Sequence, residues 1–341
     1  MEEVRKMGKR GIVSILLIFS IISEINFQNS NYSLRRLCNL SGVQIQRIKL
    51  PRGFLATESA IFGDRIYVRG ERDGRDVILV YSEKEGKFVQ EIDLGKVESE
   101  ESLPIFPHIA FLPDGRLVIN KTMSFPQARI SLGLEGEPTI NTQERYYYEK
   151  ILILGQNGEV EKSWLIPKRG ELEEVIGIET TADGNIVVGF CNRDLDYPQV
   201  NFLIYNTDGN FVNSFQVLSE GGFRGRILFT LDSNNNIALL ITNRFGDMRL
   251  TKFDIYGKYI GSTKLAGDLN LSEGFAPTVG IKISPEGNLV PAFYDGKILI
   301  FDSEGRLIDK IEIPETGIYS LELKNDGLLL FTADRVVELF H

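Results

Sequence analysis

The chain predicts an all-β fold, a six-bladed propeller of four-stranded antiparallel blades, and three observations carry that expectation. Short apolar runs of strand length alternate with turn residues about every ten positions, the spacing of antiparallel blades. Two families of turn sequence recur along the chain at blade intervals. A segment near the start aligns without a gap on a segment near the end, as a ring closed by its own termini requires. With 341 residues, 43% of them hydrophobic and 21 of them Phe, the chain can fill one large all-β domain.

Residues 277–314 show the unit most clearly. Val279, Ile281 and Ile283 alternate up to a turn at Pro285-Glu286-Gly287-Asn288, and Leu289-Val290 follow. A second turn at Tyr294-Asp295-Gly296 leads to Ile298 through Phe301, and Ser303-Glu304-Gly305 turns into Leu307, Ile308, Ile311 and Ile313. Gly supplies the positive φ that such turns need, while Asp, Asn and Ser hold a turn by bonding their own backbone.

The first turn family joins the first two strands of each unit: Gly63-Asp64, Asp114-Gly115, Asp183-Gly184, Asn234-Asn235, Glu286-Gly287 and Asp326-Gly327. The second joins the last two strands, at Gly86, Gly158, Gly209, Gly257 and Gly305. That second family is one short. Ser41 to Pro51 supplies the missing member by aligning on Glu304 to Pro314, and Asp334 to His341 aligns on Asp295 to Asp302. Residues 43–50 are therefore expected to pair antiparallel with 335–340, which removes two exposed sheet edges. Residues 40–341 then form one domain.

The pattern of Val279-Gly280-Ile281 through Phe301-Asp302-Ser303-Glu304-Gly305 resembles the NHL repeat, in degenerate form from about Pro107 to the end. The stretch at Asn234 departs from it by lacking the turn glycine, and the stretch around Arg335 departs as well. The resemblance implies a six-bladed propeller, and a family that mostly binds proteins, RNA or peptides. Fold alone does not assign activity.

Two connections break the repeat. A loop is expected from Lys121 to Lys150, carrying the run Tyr146-Tyr147-Tyr148. A second runs from Cys191 to Val200, with Arg193 and Tyr197. Both leave on the same face of the ring, and long irregular connections in compact domains are usually functional or disordered. Tyr146, Tyr147, Arg193 and Tyr197 are candidate ligand contacts, because Tyr and Arg are frequent binding anchors. The tyrosine run reads equally well as the start of a strand with alternating burial.

Aligning the first strands on their turns selects the channel positions. One layer comprises Thr57, His108, Gly177, Leu228, Gly280 and Ser320, and the next comprises Ser59, Ala110, Glu179, Thr230, Lys282 and Glu322. Charges at such depth must be paired or reach water. His108, Glu179, Lys282 and Glu322 are accordingly the channel candidates, either as a ligand site or as a network of ion pairs between blades. His108 is the one internal histidine of two. It could serve as acid or base, or as a hydrogen-bonded structural residue.

Composition excludes several classes. A formal net charge of −9 disfavours nucleic acid. Two histidines cannot make a zinc or copper cluster, and no nucleophile elbow, phosphate loop or paired catalytic carboxylates stand at diagnostic spacing. No catalytic residue, metal or cofactor is assigned. Thr57-Glu58-Ser59 faintly resembles the first inner strand of calcium-dependent six-bladed lactonases, but the Asn and Asp partners have no counterpart, and a hard cation needs several oxygen ligands.

The start of the chain differs from the rest. Arg5, Lys6, Lys9 and Arg10 precede an apolar run, Ile12 to Ile22, of signal-peptide length. Residues 1–30 are read as a signal peptide or an N-terminal membrane anchor, so the domain is expected outside the cytoplasm. Cys38 and Cys191 are too few for a disulfide framework and belong to distant blades. The expected function is a monomeric binding module for a protein, peptide or glycan, acting through the face that carries the long connections. The alternative is a hydrolase or lyase centred on the channel.

Overall fold

A computed structural model describes residues 45–96, 107–132, 138–167, 173–192, 199–218, 226–242, 247–265, 278–313, 317–324, 327–332 and 335–340. The N-terminal apolar run and Cys38 lie outside these residues, and Cys191 is buried in the third blade. Among the described residues no helix is long and apolar enough to cross a membrane.

One strand precedes the first complete blade: β1 (Ile45–Lys49). Blade one comprises β2 (Leu55–Phe62), β3 (Arg65–Arg72), β4 (Arg75–Ser82) and β5 (Phe88–Lys96). Blade two comprises β6 (Ile109–Phe111), β7 (Leu117–Leu132), β8 (Pro138–Leu154) and β9 (Val160–Pro167). Blade three comprises β10 (Glu173–Thr180), β11 (Ile186–Asn192), β12 (Gln199–Tyr205) and β13 (Phe211–Leu218). Blade four comprises β14 (Ile227–Leu231), β15 (Ile237–Thr242), β16 (Met248–Phe253) and β17 (Tyr259–Lys264). Blade five comprises β18 (Thr278–Ile283), β19 (Leu289–Phe293), β20 (Lys297–Phe301) and β21 (Leu307–Glu312). Blade six comprises β22 (Ile318–Lys324), β23 (Gly327–Thr332) and β24 (Arg335–Phe340), and β1 completes it.

Ring closure follows the expected antiparallel pairing of the two ends. Ile45 pairs with Leu339 and Lys49 with Arg335, antiparallel. The consequence is visible in the packing, where one apolar cluster fills each of the six blade interfaces. The cluster between blades six and one joins Ile48, Leu50 and Phe54 to Val68, Leu79 and Phe331, as continuous as the other five.

The turn at Asn234 works without glycine. Asn235 itself takes φ +62°, the left-handed conformation that Gly115 and Gly184 take at +89° and +90° in equivalent turns. Asn is among the few side chains that tolerate it. The missing glycine is a substitution within the repeat, with no break in the fold.

The segment Lys121–Lys150 departs from expectation. It is an extension of the β7–β8 hairpin, paired from Lys121↔Lys150 to Leu132↔Pro138 with one irregularity near Gln127. The break in the repeat spacing suggested a loop, and the ladder found there has to accommodate Pro126 and Pro138, which cannot donate to it. The extension tolerates them because β6 pairs with β7 only up to Ile119, and β9 joins β8 from Tyr148 onward. Beyond those points the two strands have no other partner strand among the described residues, as at a sheet edge, where proline is admitted.

Candidate functional site

The first strands β2, β6, β10, β14, β18 and β22 surround a cavity of about 440 Å³ at the ring centre. Four of these strands carry the same irregularity, a bulge that leaves Thr57, Ile176, Val279 and Tyr319 without a ladder partner. A bulge re-aims the side chains that follow it. Counting from the bulge corrects the first blade. The residue following it is Glu58, in register with Gly177, Gly280 and Ser320. The turn-based alignment had placed Thr57 in that layer. Ser59 then falls on the core position held elsewhere by Ile178, Ile281 and Leu321, and is 1% exposed. The error arose because blade one closes its first hairpin with a turn of only two residues, Gly63-Asp64.

The corrected outer layer is Glu58, His108, Gly177, Leu228, Gly280 and Ser320. Glu58 is its centre. Its Oε2 lies 3.2 Å from His108 Nδ1, and its Oε1 accepts from Ser320 Oγ at 3.0 Å and from the Ser59 amide at 3.2 Å. His108 Nε2 lies 3.2 Å from the Val175 carbonyl oxygen. A carbonyl only accepts, so Nε2 is the donor in that contact, and Nδ1 is the nitrogen turned toward the Glu58 carboxylate. Both ring nitrogens are engaged. His108 thus ties blade two to blades one and three.

The inner layer is Ala60, Ala110, Glu179, Thr230, Lys282 and Glu322. Lys282 Nζ lies 3.1 Å from Glu322 and 3.7 Å from Glu179. Short Thr230 on the intervening blade does not fill the span between blades five and three. The Lys282, Glu179 and Glu322 side chains keep 26%, 23% and 14% exposure, so all three meet the cavity. Burial alone would push the Lys282 ammonium toward neutrality. Glu179, Glu322 and Glu58 together outweigh it and hold the pKa above the ordinary lysine value. Burial pushes the Glu322 carboxyl up, Lys282 pulls it back, and Glu179 and Glu58 add to the rise, leaving it at about 7. Tyr319, on the wall beside Glu58, is held well above the ordinary phenol range, by burial first and by that carboxylate second.

A buried network anchors the layer from behind. Arg69 Nη1 donates to the His108 carbonyl at 2.8 Å, and Nη2 donates to the Asn120 carbonyl at 2.6 Å. Nε and Nη2 also grip Asp76 at 3.1 and 2.7 Å. The Asn120 side chain accepts from the His108 amide at 2.7 Å and donates to Glu149 at 3.2 Å. Turn chemistry and alternation in the sequence gave no sign of this network.

A second cavity of about 330 Å³ lies at the base of the extended hairpin, lined among others by Lys121, Thr122, Met123, Lys150 and Arg69. Thr57 and Pro107 line both cavities. The candidates thus fall into three groups. His108, Glu179, Lys282 and Glu322 meet in the channel, together with Glu58, which turn alignment missed. Tyr146 and Tyr147 lie on β8, where only the backbone is described, paired with Phe125 and Ser124. Arg193 and Tyr197 lie outside the described residues.

A divalent cation does not fit the channel as it stands. Among the described residues no three His, Cys, Asp or Glu side chains converge as ligands, and the position between Glu179 and Glu322 is taken by the Lys282 ammonium.

Comparison with known proteins is informative only for the fold. No family model matches the chain, the NHL repeat included, and no curated protein matches it. Among solved structures it is similar to a gluconolactonase from Xanthomonas campestris, with a TM-score of 0.55, 14% identity, and coverage of 88% of this chain and 90% of that one. It is also similar to a luciferin-regenerating enzyme, with a TM-score of 0.57, 12% identity, and coverage of 88% and 96%. Likeness at such identity supports the propeller and leaves the chemistry to the site itself.

Proposed function

We propose that this chain is a monomeric binding propeller whose ligand is a glycan, held at the channel mouth and led across Thr57 and Pro107 into the cavity under the hairpin. The observation that carries this reading is the acceptor-rich wall of the 440 Å³ cavity, where Glu58, Glu179 and Glu322 stand beside Tyr319. Carboxylates facing a concave, partly apolar site suit the paired hydroxyls of a sugar. Tyr294, half exposed at the rim, adds an aromatic face. A peptide would instead ask for donors and acceptors alternating along an edge. The apolar run Ile12–Ile22 belongs to the same proposal, as the element that places the domain outside the cytoplasm, secreted or tethered.

The test is a glycan array probed with the labelled domain, followed by titration of any hit against Glu179→Gln and Glu58→Gln variants of unchanged melting temperature. Binding weakened tenfold or more by both variants supports the reading. Selective capture of peptides over glycans, or hits indifferent to both substitutions, sinks it.

A second reading, hydrolysis or lyase chemistry in the channel, is favoured by one observation. Glu322 at about 7 has the value suited to a general acid or base near neutrality. A panel of lactones and esters assayed across pH separates the two readings. Turnover that follows an ionisation near 7 and is lost in Glu322→Gln would favour the enzyme over the binder.

A further inference from the structure

We infer that Lys282 is the built-in counter-cation of the channel, standing where carboxylates from three blades would otherwise call for a divalent ion. The inference is independent of which ligand the cavity takes.

The argument starts from the inner strands. They bring Glu58, Glu179 and Glu322 to one cavity, and Glu58 and Glu179 both act electrostatically on Glu322. Carboxylates gathered in a partly desolvated space repel one another and invite a cation, and oxygen ligands of this kind are what Ca²⁺ selects. Here the cation is part of the chain. Lys282 reaches across from blade five to touch Glu322 on blade six and Glu179 on blade three, at 3.1 and 3.7 Å. Lysine suits the role better than arginine would. Its charge is compact and its three donors can rotate among acceptors, whereas a planar fork fixes the directions in which its partners must lie. The rest of its layer leaves room for it, with Ala60 and Ala110 on two blades and Thr230 on a third. A covalently attached cation cannot be lost to a chelator or exchanged for another metal. The channel therefore keeps its shape and charge whatever the surrounding calcium, and its ligand meets hydrogen-bonding carboxylates with no open coordination position.

The experiment uses the full-length protein stripped with EDTA and titrated with CaCl₂, then MnCl₂, by calorimetry and thermal melting. The wild type is expected to show no binding heat and no shift in melting temperature up to millimolar metal. Lys282→Met is expected to melt lower at pH 8 and to regain melting temperature with millimolar Ca²⁺, because Glu179 and Glu322 then flank an unneutralised position. The triple variant K282M/E179Q/E322Q should not respond to Ca²⁺. One ion bound stoichiometrically by the wild type and lost in Glu179→Gln overturns the inference. So does a folded Lys282→Met that ignores Ca²⁺. If Lys282→Met does not fold under any condition, the wild-type titration decides alone: indifference to metal supports the inference, and a channel-dependent rise in melting temperature refutes it.

Discussion

Arg69 and Lys282 are both cations surrounded by the first strands and their neighbours, and they are held in opposite ways. Arg69 is 1% exposed and uses its guanidinium on Asp76 and on the carbonyls of His108 and Asn120, with distances from 2.6 to 3.1 Å. Lys282 makes one contact of hydrogen-bond length, to Glu322, and a looser ion pair to Glu179, and it keeps a quarter of its surface. The first arrangement leaves nothing for a ligand and fixes two blades to each other. The second leaves donor capacity and titratable carboxylates facing a cavity. A buried charge with every partner in place acts as mortar, and a partly satisfied one beside a cavity is where binding can alter the balance. The comparison separates framework from site more sharply than charge or depth alone.

The largest effect is expected on the framework side. Arg69→Met removes the guanidinium and leaves Asp76 and two carbonyls without their donor. Breaking a buried pair in this way costs about 3–5 kcal/mol. Arg69→Lys should recover little, because a point charge cannot serve Asp76 and two carbonyls in a fixed fork. Urea denaturation of the three proteins checks it. If Arg69→Met unfolds within about 1 kcal/mol of the wild type, the network is not the mortar described and the contrast with Lys282 fails.

The next effect is on the site side and is read against pH. The Glu322 carboxyl is raised in the folded state from its ordinary 4.5 to about 7. The native protein therefore holds a proton that the unfolded chain has released, and stability falls as pH rises between those two values. A displacement of that size corresponds to about 3 kcal/mol between the acid and alkaline limits. Glu322→Gln cannot titrate, so its stability should fall less steeply from pH 5 to pH 8 than that of the wild type. Lys282 does not confuse the reading, since its raised pKa keeps it charged throughout that window. Parallel pH profiles for the two proteins would mean that Glu322 is solvated like a surface carboxylate.

The same contrast explains what could be read from the sequence. Period-two alternation and turn residues are local signals, and they were enough for six blades, for the antiparallel closure of the early strand on 335–340, and for the placing of His108, Glu179, Lys282 and Glu322 around one channel. The site was missed at Glu58 because blade one closes its first hairpin with a two-residue turn, so an alignment on the turn slipped by one residue. The Arg69 network was missed because it joins residues 51 positions apart through side chains and carbonyls, which no spacing rule encodes. The extension Lys121–Lys150 was misread because a break in the repeat spacing looks the same whether the added residues form a loop or lengthen two paired strands.

The smallest effect on stability is expected where the long hairpin leaves the ring. Beyond Tyr148 it pairs only with itself among the described residues, and the six apolar clusters draw on none of its described side chains. Replacing residues 124–147 by a short Gly-containing turn between Met123 and Tyr148 should change the unfolding free energy by less than about 1 kcal/mol, since closing a shorter connection is not entropically harder. Lys121, Thr122, Met123 and Lys150, which line the second cavity, remain in place. Glycan affinity should nevertheless fall about tenfold, or about 1.4 kcal/mol, if the ligand runs from the channel to the underside of the hairpin. The pH profile of stability should stay that of the wild type, because Glu322 and Lys282 are untouched. A shortened protein that unfolds far more easily would make the hairpin part of the framework, like Arg69. One that binds the same glycan unchanged would confine recognition to the channel and leave the hairpin outside it.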